Sequence, residues 1–169
     1  KTSWCYTRGH FSFNGSPKKR KKTKSKLKEQ NLINQYIDLI QSWNSTHNLV
    51  SKDQSNNLQE HIEDSLSVLE YTGNVLVDLG SGGGLPGIPL SILGYQNIFM
   101  IDSVGKKIDF IRSVIKKLSL SAKTEKKRIE KLKIGRADLI ISRALAPLHR
   151  LLSYSLLLSN KNTTSLFLK

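Results

Sequence analysis

Cysteine is almost absent: Cys5 is the only one in 169 residues. A single thiol excludes an internal disulfide and fits a reducing compartment. Acids are scarce too, 13 against 27 Lys and Arg, and the net charge of +14 implies a polyanionic partner while saying nothing about fold. No apolar run approaches the ~18 residues of a membrane span, and the N-terminus lacks the apolar core of a secretory signal. Of the four histidines, His10, His47 and His149 show no metal-ligand grouping, there is no Cys/His cluster, and no metal site is expected. The only methionine is Met100, so Lys1 is not an initiator, and the chain is expected to be a fragment of a longer reading frame.

The charge that is present is segregated. Residues 1–30 carry ten Lys/Arg against Glu29 alone, and residues 105–136 carry twelve against Asp109, Glu125 and Glu130. Residues 1–25 lack a helical or strand period and contain the like-charge block 18–22; they read as a disordered basic tail. Residues 26–72 read as a helical cap over one edge of the following unit. In it Ile33, Tyr36, Ile37, Ile40 and Trp43 recur at helical spacing, and Leu58, Ile62, Leu66 and Leu69 face inward from a second helix over 57–71. Over 73–169, strands are predicted at 75–79, 98–102, 137–142 and 165–168, with a short polar strand within 121–128. Helices alternate with them at 86–93, at 106–118 with Ile108, Ile111, Ile115 and Leu118 on one face, and after Pro147 with Leu148, Leu151 and Leu152. Such alternation predicts an α/β fold with a Rossmann-like parallel sheet and right-handed crossovers.

One loop concentrates the chemistry. Residues 75–87 read VLVDLGSGGGLPG: a β-branched run ending in Asp78, then four glycines in five positions, then a proline where a helix can begin. Glycine tolerates positive φ and lets a ligand approach the backbone. Two patterns overlap here. Gly82-x-Gly84-x-x-Gly87 fits a dinucleotide fingerprint. Asp78-x-Gly80-x-Gly82-x-Gly84 fits the loop of S-adenosylmethionine (SAM) methyltransferases. Charge separates them, because Asp78 would repel a pyrophosphate and suits the cationic sulfonium and ammonium of SAM. Register agrees, since Gly80 directly follows the strand.

Other residues extend this site. Asp102, at the end of the second strand, can accept both ribose hydroxyls of a nucleoside, a role common to NAD and SAM proteins. Arg143 directly follows the strand at 137–142 in the order Ser142-Arg143-Ala144-Leu145, where it can meet a guanine edge, a phosphate or a cofactor carboxylate, or stay an ordinary surface cation. His61, Asp64 and Ser65 share one helical turn; their spacing permits a polar cluster and does not favour catalysis over a structural network. Lys106, Lys107, Arg112, Lys116 and Lys117, extended by Lys123, Lys126, Lys127 and Arg128, form a basic face that suits either solvent or RNA. Two chemistries are disfavoured. Pyrimidine C5 methylation needs a cysteine nucleophile, and Cys5 lies in the tail. Exocyclic amine methylation usually shows an Asn/Asp-Pro-Pro-aromatic motif, and Ser142-Arg143-Ala144-Leu145 stands in its place. A ring nitrogen such as guanine N7 already presents a lone pair, and alignment with the methyl donor suffices.

With these residues assembled, the chain from about 32 to 169 resembles the bacterial small-subunit rRNA guanine-N7 methyltransferase family (RsmG, also called GidB). The blocks that carry the resemblance are WNSTHNLV at 43–50, HIEDS at 61–65, VDLGSGGGLPGIP at 77–89, DSVGKK at 102–107, RIE at 128–130 and ISRA at 141–144. It implies a class I SAM-dependent methyltransferase fold whose last strands are missing here, and methyl transfer from SAM to guanine N7 in 16S rRNA. The implied partner is the rRNA or the small ribosomal subunit, in the cytoplasm; a monomer is expected, with no membrane or metal. By position, Gly80, Leu85, Ile129, Glu130 and Arg143 would contact SAM. Asp78 and Asp102 would fit its methionine and ribose ends, and Gly82 and Gly84 complete the loop. No catalytic residue is assigned, with His61, Asp64 and Arg143 as candidates. The alternative is an inactive RNA-binding fragment of the same fold.

Overall fold

The computed structural model describes residues 4–7, 10–13, 19–71 and 73–168, with side chains from Ser25 onward except at 53 and 54. Strands β1 (Trp4–Thr7) and β2 (His10–Phe13) pair antiparallel. The remainder of the tail expected over 1–25 lies outside the described residues as far as Lys19, where helix α1 (Lys19–His47) begins. The helix therefore starts inside the basic block, seven residues before the expected 26, because Lys and Arg are good helix formers and no Gly or Pro interrupts the run.

The second helix of the cap is broken where a continuous one over 57–71 was expected. It consists of α2 (Lys52–Asn56), α3 (Leu58–Leu66) and a 3₁₀ turn over Ser67–Glu70. The tighter turn shifts the register of the inward face. Leu58 and Ile62 are buried as expected, but Val68 is buried in place of Leu69, which is 37% exposed.

The sheet that follows contains β3 (Leu76–Leu79), β4 (Ile98–Asp102), β5 (Lys123–Lys126), β6 (Leu139–Arg143) and β7 (Thr164–Leu168). Their order is β5-β4-β3-β6-β7, and every neighbouring pair is parallel. Helices α4 (Gly87–Ile92), α5 (Gly105–Leu118) and α6 (Leu148–Leu158) connect them.

Alternation along the strands divides the core in two. Leu76, Met100, Leu139 and Ile141 pack with α4, α5 and the cap, whereas Val77, Leu79, Ile101 and Ile140 pack with Ile129 and Leu158 on the other face. Helix α1 thus lies across α4 and α5 on one face of the sheet, not over its edge as expected: its stripe of Ile33, Tyr36 and Ile40 is buried in that core, and Trp43 meets the Phe110 ring at 5.5 Å. On the other face α6 shows only part of its apolar content to the core. Leu151 and Leu158 are buried, but Leu148 and Leu152 are 61% and 49% exposed.

Candidate active site

Strand β3 delivers the chain into the glycine turn at its carboxyl end. Gly80 stands at φ +72°, a left-handed conformation that only glycine adopts freely, and a Cβ there would come within 2.5 Å of Leu145. The amides of the turn are turned inward. Those of Gly80 and Ser81 both donate to the Ile101 carbonyl, at 2.8 and 3.0 Å, and that of Gly84 donates to the Ser81 carbonyl at 2.6 Å. The Gly82 N–H donates to Asp102 Oδ2 at 3.0 Å, and the Gly87 N–H to Asp78 Oδ2 at 3.1 Å.

The two acids therefore have different places. Asp102 lies at the rim, where Oδ1 also accepts the Val104 N–H at 2.9 Å, and each oxygen keeps a lone pair for a further donor. Asp78 is fully buried. It shares strand parity with Leu76, which packs beneath the cap, so its carboxyl is directed under the glycine turn, with Oδ1 lacking a partner among the described residues. Burial pushes its pKa up to about 8, against the pull of the Gly87 N–H and with a smaller push from the charge of Asp102.

The cap holds the turn from the same side. The buried Tyr36 hydroxyl donates to the Gly83 carbonyl at 2.8 Å, and a Cβ on Gly83 would lie 2.8 Å from Val50. Val50 is itself tied back to α1, its N–H donating to Asn44 Oδ1 at 3.0 Å. Burial, and next the nearby charge of Asp78, raise the Tyr36 pKa well above its ordinary value. Tyr36 is thus a neutral donor. Tyr36→Phe leaves the Gly83 carbonyl buried without its partner and is expected to cost about 1 kcal/mol, or slightly more. A lower urea midpoint at unchanged slope would register it; an unaltered midpoint would show that α1 does not hold the turn.

Arg143 ends β6 and points into the cap. Its guanidinium donates to the His61 carbonyl at 3.0 Å, to Asp64 Oδ2 at 3.1 Å and to His61 Nδ1 at 2.5 Å. Because a guanidinium only donates, the His61 proton resides on Nε2, which is buried without a partner among the described residues. Ala144 then turns at φ +48°, and Leu145 lies over Gly80.

A cleft of about 120 Å³ opens at the carboxyl ends of β3 and β4. Gly80, Ile101, Asp102, Ser103, Ile129, Glu130, Leu145 and Tyr154 line it, with Lys127 and Arg128. Of the residues expected to meet a cofactor, Gly80, Asp102, Ile129 and Glu130 converge here, although 129 and 130 lie far from the glycine turn in sequence. The others lie outside the lining. Gly82 supports Asp102, and Gly84 is enclosed by Ile88 and the Tyr36 hydroxyl. Leu85 is in the cap-side core, Asp78 lies beneath the turn, and Arg143 joins His61 and Asp64. Leu145 and Tyr154 were missed. Leu145 adjoins the Arg143-Ala144 strand end and could have been suspected; Tyr154 sits in an apolar helical run with no local mark of its role. Among the described residues, no group of three His, Cys, Asp or Glu could hold a metal ion, and no helix is long and apolar enough to cross a membrane.

This parallel sheet, with a glycine turn after its central strand and an acid ending the next, is the class I, Rossmann-like methyltransferase fold. It matches the crystal structure of magnesium protoporphyrin IX methyltransferase from Synechocystis PCC 6803 with bound SAM, at TM-score 0.55 over 74% of this chain and 72% of that one, with 14% identity. More specifically, the chain belongs to the rRNA small subunit methyltransferase G family, whose profile matches residues 29–169. It is 42% identical over 128 residues to the ribosomal RNA small subunit methyltransferase G of Colwellia psychrerythraea, covering 73% of this chain and 61% of that protein. It is 40% identical over 132 residues to that of Nitrosomonas eutropha, covering 75% and 62%. The chain thus spans about three-fifths of the length of these relatives.

Proposed function

We propose that the protein transfers a methyl group from SAM to N7 of a guanine in 16S rRNA, acting as a monomer in the cytoplasm on the rRNA or the small ribosomal subunit. Family membership supports the reaction class. The observation that carries the choice of cofactor is the inward turning of the glycine loop. A dinucleotide needs loop amides aimed at its pyrophosphate. Here the amides of Gly80, Ser81, Gly82, Gly84 and Gly87 all bind within the protein, two of them to carboxylates. A cationic ligand requires no such cradle.

The residues present fit SAM. Asp102 has acceptor capacity left for the ribose hydroxyls. Leu145 packs against Gly80 in the space a Cβ would need, so the two together form one wall of the cleft. Ile129, Ile101 and Leu145 give apolar walls for a purine, with Glu130 at the edge. Bound SAM supplies an electrophilic methyl on a sulfonium. The protein then has only to bind, align and keep water out, because N7 carries no proton and needs no general base.

Calorimetry with SAM tests this reading. The chain is expected to bind SAM and not NADH. Asp102→Asn is expected to weaken binding about 30-fold, the loss of roughly 2 kcal/mol of charge-assisted hydrogen bonding. Labelled SAM should leave 7-methylguanosine in digested small-subunit rRNA. Tight NADH binding with no heat from SAM would end the proposal.

A further inference from the structure

The positive segment at 105–136 is not spread evenly over the surface. β5 pairs with β4 so that Lys126 lies opposite Asp102, at the cleft end of the sheet. Lys127 donates its backbone N–H to the Asp102 carbonyl at 3.1 Å, and Lys127 and Arg128 line the cleft itself. The Lys126 ammonium lies beside Gly105, where α5 starts, and a Cβ on that glycine would approach it to 2.9 Å. The first turn of α5 adds Lys106 and Lys107 and contains no acid. Five cations thus border one side of the cleft.

Neutralisation does not account for them. Glu125 pairs with Lys127, and Asp109 lies 3.5 Å from Arg112 further along α5. Among the described residues, Lys106, Lys107, Lys126 and Arg128 form no ion pair. Like charges clustered on one rim repel one another, and a bound polyanion relieves that repulsion more than solvent and salt do. Lys116 and Lys117, by contrast, end α5 about 15 Å away along the helix axis, at the far end of the sheet.

We propose that the rim formed by Lys106, Lys107, Lys126, Lys127 and Arg128 holds the phosphate backbone of the RNA beside the cleft, and that Lys116 and Lys117 do not. This rests on the rRNA reading above and adds to it where the strand enters. Phosphate contacts of this kind position the nucleic acid and leave base selection to the cleft.

The test uses the whole chain and a fluorescein-labelled RNA stem-loop, titrated between about 50 and 200 mM salt. The rim variant K106Q/K107Q/K126Q avoids every cleft-lining residue; K116Q/K117Q is the control. Because the rim variant can no longer pair three ammonium groups with phosphates, its RNA affinity is expected to fall on the order of 100-fold near 0.1 M salt, and the salt slope to shrink by about 2. The control should stay within about twofold of the parent, since its cations lie beyond a Debye length from the cleft. SAM affinity, measured by calorimetry on both variants, should not change. Equal losses in the two variants, an unchanged salt slope in the rim variant, or rim-dependent capture of phosphatidylserine vesicles without RNA binding would each overturn the proposal. If the parent chain binds RNA through the rim but ignores SAM, the methyltransferase reading fails and the rim stands. If SAM binds and methyl is transferred while the rim variant binds RNA normally, the rim fails alone.

Discussion

Gly87→Ala is expected to destabilise the protein by about 3 kcal/mol and to abolish SAM binding. Gly87 opens α4 directly beneath the glycine turn. A Cβ there would lie 2.6 Å from Met100 Sδ, 2.7 Å from Met100 Cγ and 2.8 Å from Asp78 Oδ2. Met100 is fully buried between strands and helix, so it has little room to retreat. Asp78 cannot move without giving up the bond it accepts from the Gly87 N–H itself. The helix would have to lift off the sheet, and the turn that α4 anchors would go with it. Gly135→Ala is the matched control, because nothing lies within 4 Å of a Cβ at that position. Urea melts of the two variants decide the matter: equal midpoints would mean that the packing under the turn is looser than described.

Stability is expected to fall as the pH rises from about 4 to about 8, and Asp78→Asn should remove most of that slope. In the unfolded chain Asp78 ionises near its ordinary 3.8, and in the fold near 8. Between those values the folded protein keeps a proton that the unfolded chain has released, so raising the pH favours unfolding. The contribution is complete below about pH 4 and is lost once the pH passes about 8, a change on the order of 5 kcal/mol. Asn carries no titrating proton, and the variant should therefore melt above the parent at about pH 9 and close to it at about pH 4. Thermal unfolding across this range measures the difference. A gap between variant and parent that does not vary with pH would show that Asp78 is ionised beneath the turn throughout.

Much of the architecture was legible because it is local. The strand at 98–102 and the short polar strand within 121–128 were both expected, and they appear as β4 and β5. Periodicity marks Ile33, Tyr36 and Ile40 as an inward stripe, and all three are buried. Local signals mislead where they compete. Basic residues that read as a tail continue α1, because Lys and Arg are good helix formers and no Gly or Pro interrupts them. An unbroken α period places Leu69 inward, and a single 3₁₀ turn puts Val68 there instead.

By itself the chain's residue order determined the α/β class, the glycine turn after the first strand of the α/β unit, and Asp102 at the end of the next. Each depends on neighbours a few positions apart and on a strand's alternation. Only the tertiary structure decided that Asp78 lies under the turn and Asp102 at its rim, that Tyr36 grips Gly83 across 47 residues, and that Arg143 reaches His61 across 82. The physical reason is that strand parity becomes a direction only when a helix covers one face. A hydrogen bond between distant residues is set by how the layers pack, which no local pattern encodes.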